Sequence, residues 1–217
     1  MEISFYTPEG NLQLGHGYSN AAYAMVTSLQ QLGHKVPFNS PDSQVQLNLG
    51  QPSYCADYYR SDQYTIAYFP WESTQIPEDW YDCLEDVDEV WTTSDWCFNV
   101  YKKLGLNVTN VYMHGVDPKW KPKKRVPGSK VRFLHIGDPA VRKGAQMAYD
   151  AFKEVFGDQD DVELLIKAGD HTGVRKKVYG AIRAVDDKNV RIQLGFVKED
   201  ELISIYQMAD CLVYPSY

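Results

Sequence analysis

The chain has 217 residues, 44% of them apolar and 24% charged, with a net charge of −7 and a pI near 5.2. That length supplies core for one large domain or two small ones, and the acidic balance speaks against a general nucleic-acid footprint. The four scattered cysteines (Cys55, Cys83, Cys97, Cys211) form no CxxC pair and read as thiols of a reducing compartment rather than a disulfide framework.

Residues 3–7 form a short β-type run, followed by a loop at 8–17 holding Gly10, Gly15 and Gly17. Residues 18–32 have helical spacing, with Ala22, Met25, Val26, Leu29 and Leu32 on one face. Residues 36–38 resume extended structure, which makes a βαβ opening. Gly15-His16-Gly17 stands where the first strand meets the first helix. Glycine there lets a backbone approach a ligand, but the GxGxxG dinucleotide fingerprint is incomplete. A flexible turn is the plain alternative.

Strand patterns follow at 45–49 and 64–70, separated by a tyrosine-rich stretch that reads as loop or short helix. Tyr54, Tyr58 and Tyr59 there suit either an acceptor groove or core packing. The loop Trp71-Glu72-Ser73-Thr74 comes at a strand's carboxyl end, before a helix that starts near 77. Trp71 suits stacking on a sugar face and Glu72 suits hydrogen bonding to a polar ligand. A packed Trp beside a solvated Glu explains the pair equally well. A strand at 87–93, a helix capped by Ser94 or Asp95, and a strand at 108–113 lead to His114-Gly115-Val116-Asp117, where His114 reads as a turn residue with ligand capacity. The stretch 118–128 combines three prolines with five Lys/Arg residues and reads as a solvated linker. The expected division is residues 1–121, a linker at 122–130, and residues 131–217.

After the linker the alternation restarts, with strands at 131–136, 162–168, 190–196 and 211–214 and helices at 144–156, 174–185 and 199–209. The expected class is α/β, two tandem Rossmann-like domains with a hinge and a cleft between them. The run VRFLHIGDPAVRKGA from Val131 to Ala145 carries the most chemistry. A strand ends at Gly137, and Arg142, Lys143 and Gly144 precede a helix. Helix N-terminal N–H groups favour anions, and Arg and Lys add charge-assisted hydrogen bonds. A surface Arg-Lys pair is the bland counterpart.

Taken in order, these motifs resemble the retaining GT-B glycosyltransferases, specifically glycosyltransferase family 4, over nearly the whole chain. Gly15-His16-Gly17 with Gly33-His34-Lys35-Val36 is similar to the family's opening glycine loop and its following strand. FPWESTQIP (Phe69 to Pro77), His114-Gly115-Val116-Asp117, Ile136-Gly137 with Arg142-Lys143-Gly144, and Leu202 to Ser216 match later elements. The resemblance implies a transfer of sugar from a UDP- or GDP-type nucleotide-sugar with retention. Arg142 and Lys143 would hold the donor diphosphate, and Gly137, Gly15 and Gly17 would let it approach. Glu72 would be the acceptor-side catalytic group, with Trp71, His16 and His114 as further sugar or acceptor contacts. The step implies no cofactor and no metal. The family's acidic-glycine segment and final helix do not follow Pro215-Ser216-Tyr217, so the second domain is expected to be incomplete and donor affinity weak.

The acceptor stays open among lipid, glycan, protein and small molecule. Nucleic acid is disfavoured by the acidic charge, which also counts against a DNA-modifying glucosyltransferase. No signal-peptide pattern opens the chain and no stretch is apolar enough to span a bilayer, so the expected location is the cytoplasm. The cations of 119–130 leave room for peripheral membrane contact, although a solvated linker explains them more cheaply. Two rival readings remain. One is a metal-dependent transferase using Asp86-Val87-Asp88 or Asp158-Gln159-Asp160. The other is a non-catalytic nucleotide- or sugar-binding module, or a truncated paralogue. A nicotinamide enzyme is disfavoured by the missing fingerprint.

Overall fold

The computed structural model describes residues 1–8, 17–124, 128, 130–138, 140–169 and 187–216. The chain packs as two compact units, Met1–Val116 and Asp117–Tyr217.

In the first unit five strands form one parallel sheet in chain order: β1 (Ile3–Tyr6), β2 (Val45–Leu49), β3 (Tyr64–Tyr68), β4 (Glu89–Thr92) and β5 (Val108–Val111). Its helices are α1 (Gly17–Gln31), α2 (Pro52–Cys55), α3 (Asp79–Cys83) and α4 (Asp95–Lys103). Alternation along β3 sorts two cores onto opposite faces. Ile66 and Tyr68 join Phe5, Leu47 and Leu49 under Ala22 and Val26 of α1. Ala67 and Phe69 join Val90 and Val108 under Trp80 of α3 and Cys97, Val100 and Tyr101 of α4. The cap expected before α4 is present: the Ser94 hydroxyl accepts from the Cys97 N–H at 3.2 Å.

Residues 36–38 differ from expectation. They run beside the outer edge of β1 but make only isolated bridges, Glu2 to Lys35 and Phe5 to Phe38. Pro37 explains this, because it accepts from the Phe5 N–H at 2.9 Å but has no N–H to return. The segment still fixes the winding. The chain first steps outward past β1, then returns to lay β2 on β1's other side. The carboxyl ends of β1 and β2 therefore form the unit's switch point, where open α/β sheets take ligands.

The second unit has a four-stranded parallel sheet in the order β8-β7-β6-β9, from β6 (Val131–Gly137), β7 (Val162–Ala168), β8 (Val190–Leu194) and β9 (Cys211–Leu212). Helix α5 (Ala145–Phe156) buries Ala145 and Phe152 against Val162, Leu164, Ile166 and Val190. Helix α6 (Glu199–Met208) buries Ile203 and Ile205. Strand order reverses between β6 and β9, so the switch point lies at their carboxyl ends. Strands read to 196 and 214 end at Leu194 and Leu212. The helix read at 174–185 lies outside the described residues.

The cationic stretch read as solvated is held at its start. The Trp120 indole N–H donates to Glu199 Oε1 at 2.9 Å, and its ring meets Tyr206 edge-on at 5.5 Å. Lys119 pairs with the same carboxylate, and the Gln207 side chain donates to the Lys121 carbonyl at 2.9 Å. Among the described residues no helix is long and apolar enough to cross a membrane.

Candidate functional site

In the second unit the sequence motif and the switch point coincide. β6 delivers Gly137 at its carboxyl end, and a single 3-10 turn, Val141–Lys143, carries Arg142 and Lys143 to the start of α5. The helix expected from 144 starts at Ala145, with Gly144 as its N-cap. Gly144 offers no capping side chain, and no acidic residue stands in the helix's first turn. The first N–H groups of α5 thus receive no cap from their own N-cap residue, the arrangement in which a helix start can take an anion. Arg142 is exposed and Lys143 half-buried. Among the described residues neither cation has an ion-pair partner.

Gly144 is a position only glycine fits. Its φ is +73°, and a Cβ there would lie 2.3 Å from the Pro215 carbonyl oxygen and 2.8 Å from Pro215 Cγ. The loop after β6 thus lies directly against the loop after β9. Gly137 is less tightly walled: a Cβ would meet Tyr214 Cε2 at 3.5 Å and the Lys143 stem at 3.7 Å. Both neighbours border the space above the strand end. The Lys143 ammonium sits over the Tyr214 ring, 5.4 Å from its centroid. The same ring lies near-parallel to that of His135, at 6.0 Å and 19°. His135 is buried, and its Nδ1 lies 3.0 Å from the Val213 carbonyl. Burial holds its imidazole below the ordinary histidine pKa, partly opposed by that hydrogen bond.

Neighbouring Lys167 is almost fully buried at the end of β7. Its ammonium donates to the Ala168 carbonyl at 3.2 Å and to the Gly195 carbonyl, so it ties down the loop after β8. Desolvation lowers its pKa. Sequence reasoning passed over His135, Lys167 and Tyr214. The available signal was a polar residue breaking an apolar run, as in VRFLHIG and VELLIKA.

In the first unit Gly15 and His16 lie outside the described residues. Gly17 begins α1, and no described residue lies within 4 Å of where its Cβ would be. Glu72 is exposed after the end of β3. Trp71 is tied into the fold: its ring lies 4.6 Å from that of Trp80, and its indole N–H donates to the Gln75 carbonyl at 2.7 Å. The Cys97 thiol bonds to the Trp71 carbonyl at 3.2 Å. His114 sits edge-on to Tyr68 at 5.8 Å, and desolvation holds its pKa below the ordinary value. Tyr68 in turn donates to the Tyr112 carbonyl.

Three of the four carboxylates in the acidic triplets are engaged elsewhere. Asp88 accepts from the Thr65 N–H at 2.7 Å, Asp158 pairs with Lys153 at 2.6 Å, and Asp160 pairs with Lys188 at 2.5 Å. Among the described residues no three His, Cys, Asp or Glu side chains form a metal-binding group.

No known family model matches the chain, and no curated protein matches it by sequence. Solved structures do. The apo form of the lipopolysaccharide outer core galactosyltransferase WaaB is similar over 100% of this chain and 74% of its own, with a TM-score of 0.59 at 13% identity. A trehalose-6-phosphate synthase from Burkholderia multivorans is similar over 94% of this chain and 56% of its own, with a TM-score of 0.57 at 12% identity. S. aureus TarM, solved with fondaparinux, α-GlcNAc-glycerol and UDP, is similar over 91% of this chain and 40% of its own, with a TM-score of 0.59 at 14% identity. The chain thus spans 74% of the first and little more than half, or less, of the other two. At these identities the likeness is one of fold: two Rossmann-like α/β units in tandem, the GT-B pattern.

Proposed function

We propose that this chain belongs to a glycosyltransferase of the retaining, family 4 type, which moves a sugar from a nucleotide-sugar to an acceptor without a bound metal. The observation carrying this reading is the coincidence of Arg142, Lys143 and the uncapped start of α5 with the switch point of the second unit. In the transfer the bond from sugar C1 to phosphate oxygen breaks, and the electron pair leaves with the nucleoside diphosphate. The acceptor oxygen forms the new bond to C1. Negative charge grows on the leaving phosphate, where fixed cations and helix N–H groups stabilise it most. Arg142 offers a planar fork to phosphate oxygens and Lys143 a point charge. Gly137 leaves the strand end open between them. Glu72, exposed beyond β3, is the acceptor-side carboxylate that takes the acceptor's proton. Trp71 is held by Trp80 and serves as a wall of that region. The fold likeness to glycosyltransferases, one of them solved with UDP, supports the reading.

Ligand-observed NMR or calorimetry with UDP and GDP tests it. Replacing Arg142 and Lys143 together by Ala should weaken binding about 10- to 100-fold, the worth of one or two charge-assisted hydrogen bonds. Unchanged binding by the double variant overturns the proposal.

A further inference from the structure

We infer that Tyr214 is a positioning residue that aims the Lys143 ammonium at the diphosphate. This rests on the reading of Lys143 as a phosphate ligand and adds a second residue to it. A lysine on an open surface spreads its ammonium over many rotamers, about 2 kcal/mol of side-chain entropy. Here two loops are fixed against each other at Gly144 and Pro215. Lys143 immediately precedes Gly144, and Tyr214 immediately precedes Pro215. The contact therefore holds both side chains at a set spacing over Gly137. The ammonium lies over the face of the phenol ring, where the ring quadrupole attracts a cation. The ring itself stacks with His135, whose hydrogen bond to the Val213 carbonyl closes the support. The order of support runs from His135 to Tyr214 to Lys143.

The arrangement suits a cation that must stay available. Pairing with a carboxylate would order Lys143 equally well but would neutralise it and compete with phosphate. A ring face orders the ammonium and leaves its charge unspent. It also leaves N–H groups directed away from the ring, free to reach an anion. Among the described residues Lys143 has no carboxylate partner, consistent with this division of labour.

The experiment measures UDP affinity for the whole chain and four variants, with thermal midpoints recorded for each. Tyr214→Phe keeps the ring face and should bind within about 2-fold of the parent. Tyr214→Leu keeps an apolar side chain without a quadrupole and should weaken binding about 3- to 30-fold, the range of a single cation–π contact, at an unchanged midpoint. Lys143→Ala should weaken binding at least as much as Tyr214→Leu does, and adding Tyr214→Leu to it should weaken binding no further. If Tyr214→Leu binds as the parent does while Lys143→Ala does not, the inference about Tyr214 fails and the diphosphate reading stands. If Lys143→Ala binds normally, the diphosphate reading itself fails. If Tyr214→Phe weakens binding as much as Tyr214→Leu, the hydroxyl and not the ring face is responsible, and the inference is overturned.

Discussion

The two units share one winding plan and differ in charge. Met1–Val116 holds four Lys/Arg against fourteen Asp/Glu, a net −10, while Asp117–Tyr217 holds eighteen against fifteen, a net +3. The overall −7 conceals this division. Each sheet offers a switch point at its strand ends, and among the described residues the second places Arg142 and Lys143 beside its own. The lesson is that fold alone offers two switch points, and charge is what sets them apart.

The largest expected effect contrasts two glycines in matching places, each at the start of a unit's first helix. Gly144→Ala meets Pro215 at an impossible distance and at a positive φ. It should cost about 3 kcal/mol and abolish UDP binding, read by urea unfolding and titration. Gly17→Ala meets no described residue within 4 Å and should raise stability by about 0.5 kcal/mol through the unfolded chain. Equal costs at both sites would break the comparison.

Next come two adjacent residues of the first unit. Trp71→Ala removes a ring packed on Trp80 and a hydrogen bond, and should destabilise by about 2 kcal/mol. Glu72→Ala removes an exposed side chain and should stay within about 0.5 kcal/mol while lowering transfer to an acceptor. A Glu72 variant with full transfer would remove its proposed role.

The smallest effect is on pH dependence. Desolvation depresses the pKa values of His135 and His114 in the fold, so the unfolded chain takes up protons first on acidification. Their contribution to stability is full above the unfolded histidine pKa of about 6.5 and declines as pH falls from there towards the lower folded values. His135→Gln should flatten part of that decline in a urea series between pH 7.5 and 5. A slope unchanged by the substitution would show that His135 titrates normally.

Much of this was legible in the residues. Apolar runs bounded by glycine located β2 and β7 to the residue and the other strands within a few positions, and Ser94 marked its helix. The RKG triplet marked the helix start as a cationic site, but not the left-handed backbone that Gly144 adopts. What sequence left out was contact between distant residues. Lys119 and Trp120 read as part of a solvated charge run because Glu199 and Tyr206 lie some eighty positions away. The worth of Tyr214 depends on His135 and Lys143, which come together only when β9 pairs beside β6. Residues 36–38 looked like a strand because their apolar pattern is right, and Pro37 denies them a ladder. Trp71 read equally as ligand platform or packing until Trp80 appeared against it.

The central claim is that a nucleoside diphosphate sits at the carboxyl ends of β6 and β9. Backbone NMR shifts of the 217-residue chain on titration with UDP test it most directly. The account expects the largest shifts at Gly137, at Arg142 to Ala145 and at Val213 to Ser216, weakening as salt rises. Shifts centred on the strand ends of the acidic unit, with those residues silent, would contradict it.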